Sequence, residues 1–280
     1  MSGAPATSLT ETPRERRARL ALELRALAGW SGYRKFVIVG IARTGSTLLI
    51  DLLNSHPSVL AFGEIFRTPD AIGWDVGPFR HHHDPRLLAL YRTNPVEFLN
   101  RAVYRRWPRT VKAAGFKLFY YHAQEEPFSA VWDMLASDQN IHILHIKRRN
   151  VLAQYYSLQL AHRTDIWSTR APQRDANAPI ELDPAACEKH FEWVRGLEDA
   201  CAARFTGHPM HTLHYEDLVA DRAREMSAVF AFLGVPDRAA SAHTVRQRTA
   251  PLRDAIANYG ALERHFTGTP WEGFFEQRPD

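Results

Sequence analysis

A chain of 280 residues with 45% hydrophobic and 24% charged residues can bury one large core, which favours a globular protein over a disordered one. The formal charge of +4 and the pI near 9.2 are basic, but no basic run with interleaved aromatic residues indicates nucleic-acid binding. The two cysteines give no disulfide framework, the N-terminus lacks the apolar segment of a signal peptide, and no apolar run is long enough to span a membrane. We therefore expect a cytoplasmic protein with neither a transmembrane segment nor a nucleic-acid partner.

Residues 1–30 are predicted to form a tail followed by a short amphipathic helix. Between Arg14 and Leu27, four leucines are interspersed with Arg and Glu residues. We expect this helix to pack on the rest of the domain or on a second copy of the chain, so a homodimer is one candidate assembly. Residues 31–280 are predicted to form a single domain.

Residues 35–54 carry the strongest local pattern. The apolar residues 36–39 predict a buried strand, Gly40 interrupts it, and helical spacing of apolar residues begins at Thr47. A loop between a strand and a helix presents backbone N–H groups and the positive end of the helix dipole at one point. The sequence therefore predicts an anion-binding loop suited to a phosphate or sulfate group.

Four further strands are predicted, over residues 59–63, 115–121, 141–146 and 210–214. Helical patterns separate them, including a long helix with Asp183 as its N-cap and Pro184 as its first residue. Strands that alternate with helices predict an α/β fold with a central parallel sheet flanked by helices on both faces. Residues 67–85 are predicted to run irregularly over the surface, and mobile insertions are expected near residues 67–110 and 163–182.

The anion-binding loop has the glycine spacing of a nucleoside-triphosphate-binding loop but lacks its lysine. That motif requires Gly, four residues and then Gly-Lys-Ser/Thr. Gly40 and Gly45 have this spacing, but Ser46 stands where the lysine is required. Transfer of a γ-phosphate would lose its main fixed charge, so a nucleotide kinase or phosphotransferase is kept only as an alternative.

Residues 43–49 resemble the 5′-phosphosulfate loop of sulfotransferases that use 3′-phosphoadenosine 5′-phosphosulfate (PAPS). In that family an Arg after a strand and a Ser eight or nine residues later hold the 3′-phosphate of the nucleotide. Arg148, Arg149 and Ser157 stand in this order after the strand at residues 141–146, and either Arg fits the spacing. The resemblance implies that six residues bind the 5′-phosphosulfate: Arg43, Thr44, Gly45, Ser46, Thr47 and Leu48.

Other segments are similar to the bacterial carbohydrate sulfotransferases, including the trehalose and Nod-factor types. These segments are Gly63-Glu64 and residues 214–218, 232–236 and 250–271. The resemblance implies a P-loop-like parallel sheet and an enzyme that moves a sulfuryl group from PAPS to a hydroxyl group by in-line displacement. The implied acceptor is a carbohydrate, a glycolipid or a related small molecule, and 3′-phosphoadenosine 5′-phosphate (PAP) is the product.

Two residues are candidates for the catalytic base. Glu64 matches the glutamate that the trehalose type is thought to use, and a closed site is expected to raise its pKa. His122 stands about where the sulfotransferases of small alcohols and steroids have a catalytic His. Lys117 could reach the bridging oxygen of the donor or pair with a core acid. Arg43 and the loop N–H groups are expected to stabilise the leaving phosphate, so no metal is required.

A non-catalytic nucleotide-binding protein with this fold is a further alternative. Such a protein would have no need of a base, whereas this chain has both Glu64 and His122. The sequence leaves open the identity of the acceptor, the choice between the two bases and the choice between Arg148 and Arg149.

Overall fold

The computed structural model describes residues 11–75, 77–167, 179–242 and 251–275. Its centre is a five-stranded sheet in the order β2-β3-β1-β4-β5, in which every neighbouring pair is parallel. The strands are β1 (Arg34–Gly40), β2 (Val59–Glu64), β3 (Ala113–Phe119), β4 (His142–Lys147) and β5 (Met210–His214). Each of the five strands predicted from the sequence is present, with ends that differ by at most two residues.

The sheet is buried on both faces. All seven residues of β3 are buried, as are the last five residues of β1, although alternate side chains in a strand point to opposite faces. Such continuous apolar strands are typical of a parallel sheet covered by helices on each side. The predicted α/β fold with a central parallel sheet is therefore confirmed.

Helices connect the strands and cover the sheet. Those described are α1 (Pro13–Leu27), α2 (Ser46–Asn54), α3 (Pro85–Thr93), α4 (Pro95–Phe98), α5 (Ala130–Ser137), α6 (Val151–Thr164), α7 (Pro184–Arg204), α8 (Tyr215–Ala220), α9 (Arg222–Phe232), α10 (Leu252–Ala255) and α11 (Tyr259–Phe266). The start of α7 is as predicted, because Asp183 caps the helix by accepting a hydrogen bond from the Ala186 amide.

The strand order places a crevice between β1 and β4. The chain leaves β1 towards β2 and β3 on one side of the sheet, and leaves β4 towards β5 on the other. Loops that diverge in this way open a crevice at the carboxyl ends of the two strands, where ligands of open α/β sheets bind. Both predicted anion-binding segments, after β1 and after β4, lie at this point.

Residues 67–85 differ from the predicted irregular run over the surface, because they include a short 3₁₀ helix at Gly77–Phe79 and buried side chains. Helices α3 and α4 and a π-helix at Leu99–Val103 follow, in agreement with the helical pattern of the sequence. The side chains of Trp74, Phe79 and Trp107 are buried and form a ring cluster with Phe62 of β2. The prediction was wrong for Trp74 and Phe79, because they extend the hydrophobic core beyond the edge strand β2.

Helix α1 exposes most of its leucine side chains. Leu20, Leu24 and Leu27 are exposed by 42%, 66% and 78%, whereas Arg19 and Ala26 of the same helix are buried. The helix thus packs on the domain through residues such as Ala26 and Leu22 and not through these three leucines, and a homodimer stays a prediction. Among the described residues, no helix combines the length and apolar character that crossing a bilayer requires. Residues 1–10 of the predicted tail and residues 168–178 of the predicted insertion lie outside the described residues.

Candidate active site

The loop between β1 and α2, residues 41–45, is shaped to present backbone N–H groups. Arg43 and Gly45 adopt left-handed conformations with φ angles of 68° and 81°. A Cβ atom on Gly45 would lie 2.5 Å from Cδ2 of Tyr215, so only glycine fits there. Gly45 is the N-cap of α2 and no side chain caps this end of the helix. The N–H groups of the first turn of α2 are thus available for an anion.

The hydroxyl groups of the loop have different roles. The Thr44 hydroxyl is buried and donates to the Ile41 carbonyl at 2.7 Å, so it closes the loop instead of facing a ligand. Ser46 and Thr47 line a cavity of about 890 Å³ at the carboxyl edge of the sheet. This volume is in the range of small-molecule sites. Of the six predicted phosphosulfate residues, Arg43, Ser46 and Thr47 line the cavity.

Arg43 joins this loop to the segment that follows β4. Its Nε donates to the Ser157 hydroxyl at 2.9 Å, and its guanidinium also donates to the Trp167 carbonyl. Arg148 donates to the Arg43 carbonyl at 3.3 Å. Burial, together with the positive charge of Arg148, lowers the pKa of Arg43 to about 10. A cation whose pKa is lowered in this way would be stabilised by a bound anion.

The two candidate arginines after β4 face different neighbours. Arg148 is buried and its guanidinium lies over the Tyr215 ring, 4.7 Å from the ring centre. Arg149 is half exposed and makes a bidentate ion pair with Asp217, with distances of 2.6 and 2.5 Å. Arg148 therefore belongs to the Arg43–Ser157 cluster, whereas Arg149 is held by the first turn of α8.

On the other side of β1, a β-bulge aligns Glu64 with Lys117. The register of β2 against β3 shifts between Phe62 and Glu64, so that Glu64 lies directly opposite Lys117. Their Oε1 and Nζ atoms are 2.8 Å apart, and Lys117 is buried. Of the two roles considered for Lys117, pairing with an acid is the one seen in this structure.

Arg67 and Asp75 complete the surroundings of the carboxylate. Arg67 Nε donates to Oε2 of Glu64 at 3.0 Å, and its guanidinium also pairs with Asp75. Asp75 in turn accepts a hydrogen bond from the Glu64 amide at 3.3 Å. A Cβ atom at position 63 would lie 2.3 Å from Cβ of Asp75, so Gly63 is required for this close approach. Each oxygen of the Glu64 carboxylate thus has a cationic partner.

The charges around Glu64 reverse the expected direction of its pKa shift. Burial raises the pKa of Glu64, but the positive charges of Lys117 and Arg67 outweigh burial and bring it to about 2. The expectation that a closed site raises this pKa is wrong for the ligand-free protein, because the site closes around cations as well as around the carboxylate.

His122 lies beside Glu64 in the same cavity. Its Nε2 is 4.0 Å from Oε2 of Glu64, and burial lowers its pKa to about 4 despite the opposing effect of the Glu64 charge. The imidazole is therefore neutral near pH 7. Both candidate bases are thus within reach of one bound acceptor.

Sequence reasoning missed Arg67, Asp75 and Tyr215. Arg67 follows Glu64 by three residues, which was a usable signal, because residues at this spacing in a turn often pair. Asp75, eleven residues after Glu64, carried no local signal. Tyr215 lies in the segment 214–218 that carries the resemblance, but no role in the site was assigned to it.

Comparisons with known proteins show the family of this chain. A family model described as the sulfotransferase family matches residues 35–239, from β1 to beyond α9. Nodulation protein H of Rhizobium tropici is 30% identical over 86% of this chain and 92% of its own length. Nodulation protein H of Rhizobium meliloti is 29% identical over 88% of this chain and 97% of its own length.

Two solved structures are also similar. A sulfotransferase from Alicyclobacillus acidocaldarius is 18% identical, with a TM-score of 0.47, over 87% of this chain and 94% of that chain. Sulfotransferase STF9 from Mycobacterium avium is 13% identical, with a TM-score of 0.40, over 90% of this chain and 80% of that chain. Because the family model matches residues 35–239, which are most of this chain, the chain belongs to the sulfotransferase family and is a sulfotransferase.

Proposed function

We propose that this sulfotransferase takes its sulfuryl group from PAPS, leaves PAP, and transfers the group to a hydroxyl of a carbohydrate or glycolipid. Membership of the family implies PAPS as the donor in general. The carbohydrate acceptor follows from the chemistry of the cavity, described below. The observation that supports the proposal most is that Arg43, Ser46, Thr47, Glu64 and Lys117 all line one cavity.

The residues after β1 fit a phosphosulfate group. The first-turn N–H groups of α2 have no side-chain cap, and the lowered pKa of Arg43 indicates a position where an anion is favoured. Ser157, with Arg148 or Arg149, is proposed to hold the 3′-phosphate. The spacing to Ser157 fits either arginine, whereas burial beside Arg43 favours Arg148.

Glu64 is proposed as the base and Lys117 as the residue that stabilises the leaving group. Glu64 accepts the proton of the acceptor hydroxyl while the oxygen of that hydroxyl bonds to sulfur. The bond from sulfur to the bridging oxygen breaks, and the electron pair stays on the 5′-phosphate of PAP. Lys117, Arg43 and the loop N–H groups then stabilise the charge that develops on this phosphate.

A change of partner by Lys117 would prepare Glu64 for this role. The charge of Lys117 is a main cause of the low pKa of Glu64. When Lys117 turns its ammonium group to the donor's bridging oxygen, Glu64 loses a cation and its pKa rises towards a value useful for a base. His122 is the second candidate base, since its neutral ring lies beside Glu64.

The lining of the cavity favours a carbohydrate over a steroid or an alkyl chain. Seven of the sixteen lining residues are charged at neutral pH, and the aliphatic ones are few. Hydroxyl groups can bond to both the carboxylates and the guanidinium groups, whereas an alkyl chain would desolvate these charges without replacing their hydrogen bonds.

Titration calorimetry with PAP and with 5′-AMP tests the donor assignment. The wild type is expected to bind PAP more tightly than 5′-AMP, because only PAP has a 3′-phosphate. Arg43→Gln should weaken both ligands, whereas Ser157→Ala should weaken PAP alone. Comparing Arg148→Gln with Arg149→Gln identifies the arginine that holds the 3′-phosphate, since its loss removes the preference for PAP.

Two results would contradict the assignment. A wild type that does not bind PAP at millimolar concentration would remove PAPS as the donor. A wild type that binds PAP and 5′-AMP equally would remove Ser157 and both arginines from the 3′-phosphate site.

A further inference from the structure

The carbonyl groups of residues 41–43, in the anion-binding loop, each accept a hydrogen bond from a side chain. The donors are Thr44, Gln154 and Arg148, at 2.7, 2.7 and 3.3 Å respectively. Within a trans peptide, the C=O group and the N–H group of the next residue point in opposite directions. The three side chains therefore also fix the directions of the N–H groups of residues 42–44.

Gln154 reaches the loop from the buried side of α6, and its relative exposure is only 1%. Its Nε2 donates to the Ala42 carbonyl, and its Oε1 accepts a hydrogen bond from Nε2 of His190 in α7 at 2.6 Å. A backbone carbonyl can only accept, so Gln154 must direct its NH₂ group to Ala42 and its oxygen to His190. His190 must in turn carry a proton on Nε2. A chain of hydrogen bonds thus runs from α7 through α6 to the loop.

The surroundings of His190 favour the state that this chain requires. Burial lowers the pKa of His190 to about 4, so the imidazole is neutral near pH 7 and has a single N–H group. Tyr155 packs against the ring, with ring centres 4.5 Å apart and planes inclined by 33°. If the amide of Gln154 turned over, its oxygen would face the Ala42 carbonyl and its NH₂ group would face the N–H of His190. Both hydrogen bonds would be lost together, which makes one orientation of the amide strongly preferred.

The backbone that Gln154 supports is strained. Arg43 has a φ angle of 68°, a left-handed conformation that is unfavourable for a residue with a Cβ atom. Such a conformation persists where the surrounding structure holds it. Gln154 holds the peptide between Ala42 and Arg43, which is the one that enters this conformation. The carbonyl of this peptide faces α6, so its N–H points away from α6, and both of its residues line the cavity.

We infer that Gln154 and His190 are positioning residues for the donor, because they hold the Ala42–Arg43 peptide with its N–H group towards the 5′-phosphosulfate. Among the described residues that line the cavity, neither of the two is present, so they act through this peptide and not by touching the donor. An N–H group that is oriented before binding needs no reorganisation when the anion arrives. This inference rests on the proposed function, because it concerns the donor site of that reaction.

Calorimetric titration with PAP and with 3′-AMP tests the role of Gln154. Only PAP has a 5′-phosphate for the loop, so the wild type should bind PAP more tightly than 3′-AMP. Gln154→Met keeps the length of the side chain but removes its donor. It should reduce the ratio of the two affinities about tenfold while the affinity for 3′-AMP stays unchanged. Gln159→Met, the same change at a half-buried position of α6, is the control and should keep the wild-type ratio.

Variants of His190 test the outer part of the chain and do not depend on the folding of Gln154→Met. His190→Phe keeps a ring beside Tyr155 but cannot donate a hydrogen bond, and it should reduce the ratio about threefold. His190→Gln has a side-chain N–H at a similar distance from the backbone and should keep more of the ratio than His190→Phe. A purely structural role would weaken PAP and 3′-AMP alike and would show no such split.

The outcomes separate this inference from the proposed donor. A wild type that does not bind PAP would overturn the donor assignment, and one that binds PAP and 3′-AMP equally would remove the loop from the 5′-phosphate site. If the wild type prefers PAP, two results overturn the role of Gln154: an unchanged ratio in Gln154→Met, or an equal loss of affinity for both ligands. An unchanged ratio in His190→Phe would remove His190.

Discussion

On the β3 side of the central strand β1, a half-buried carboxylate has a cation at each oxygen, whereas on the β4 side the half-buried Arg43 lies close to the buried Arg148. Glu64 has Lys117 and Arg67 as partners, and its pKa falls to about 2. Arg43 lies near Arg148, and its pKa falls to about 10. Both oxygens of the Glu64 carboxylate thus have cationic partners, while on the donor side an anion would raise the lowered pKa of Arg43 even though Glu216 lies 4.0 Å from Arg148.

In the proposed reaction, this difference suits a donor with several negative charges and a neutral acceptor in one cavity. Phosphate and sulfate groups would stabilise the cations of the donor side. The acceptor side holds its charged side chains in place before any ligand binds, so little conformational entropy is lost when the acceptor binds. Lys117 lies at the boundary and can serve either side.

The largest expected effect tests the acceptor side. Glu64→Gln should lower kcat by about 10³-fold, because the acceptor hydroxyl loses its proton acceptor. PAP affinity should stay within a few-fold of wild type, since the donor contacts lie on the other side of β1. Steady-state kinetics and calorimetry measure the two quantities.

The control is Asp70→Asn, which changes a carboxylate that is 86% exposed and should leave kcat unchanged. His122→Gln should cost less than Glu64→Gln. If His122→Gln costs more, the roles of the two candidate bases must be exchanged.

The second-largest expected effect tests the donor side, through the increase in the free energy of unfolding when PAP binds. PAP at 100 times its Kd should raise the free energy of unfolding by about 2.7 kcal/mol, because it binds the folded state only. Arg43→Gln should lose most of this gain, whereas Arg67→Gln should keep it. Urea denaturation with and without PAP measures the difference, and equal losses in both variants would show that the two sides are not separate.

The smallest expected effect tests whether the charge of Arg67 lowers the pKa of Glu64. At a pKa of about 2, below the ordinary value of 4.5, ionised Glu64 contributes its full stability above pH 4.5, and this contribution is lost as the pH falls through about 2. Arg67→Gln removes one of the cations and should raise the pKa by about one unit. The acid limb of the kcat profile should therefore move to higher pH in this variant.

Arg67→Lys is the matched control, since it keeps the charge and should keep most of the wild-type profile. An unchanged acid limb in Arg67→Gln would mean that Arg67 does not set the protonation of Glu64 during turnover. Between pH 2 and pH 4.5, the free energy of unfolding of Arg67→Gln should also be lower than that of the wild type.

Sequence reasoning succeeded where the pattern is local. The strand ending at Gly40, the loop and the helix beginning at Ser46 follow each other directly, so composition and spacing were sufficient to predict them. The pairing of Arg67 with Asp75 and the stacking of Trp193 on Tyr121 were not predicted. Arg67 and Asp75 are eight residues apart in one irregular segment, which has no repeating pattern to predict from, whereas Trp193 and Tyr121 come from segments whose approach depends on how α7 packs.

The sequence by itself determined the parallel α/β fold, the anion-binding loop and the choice of Glu64 as a candidate base. Only the tertiary structure decided what surrounds that base. Without the bulge at Gly63, the register of β2 on β3 would place Glu64 opposite Leu118, on the other face of the sheet from Lys117. Register between distant strands, not local pattern, therefore sets the charge around Glu64 and the direction of its pKa shift.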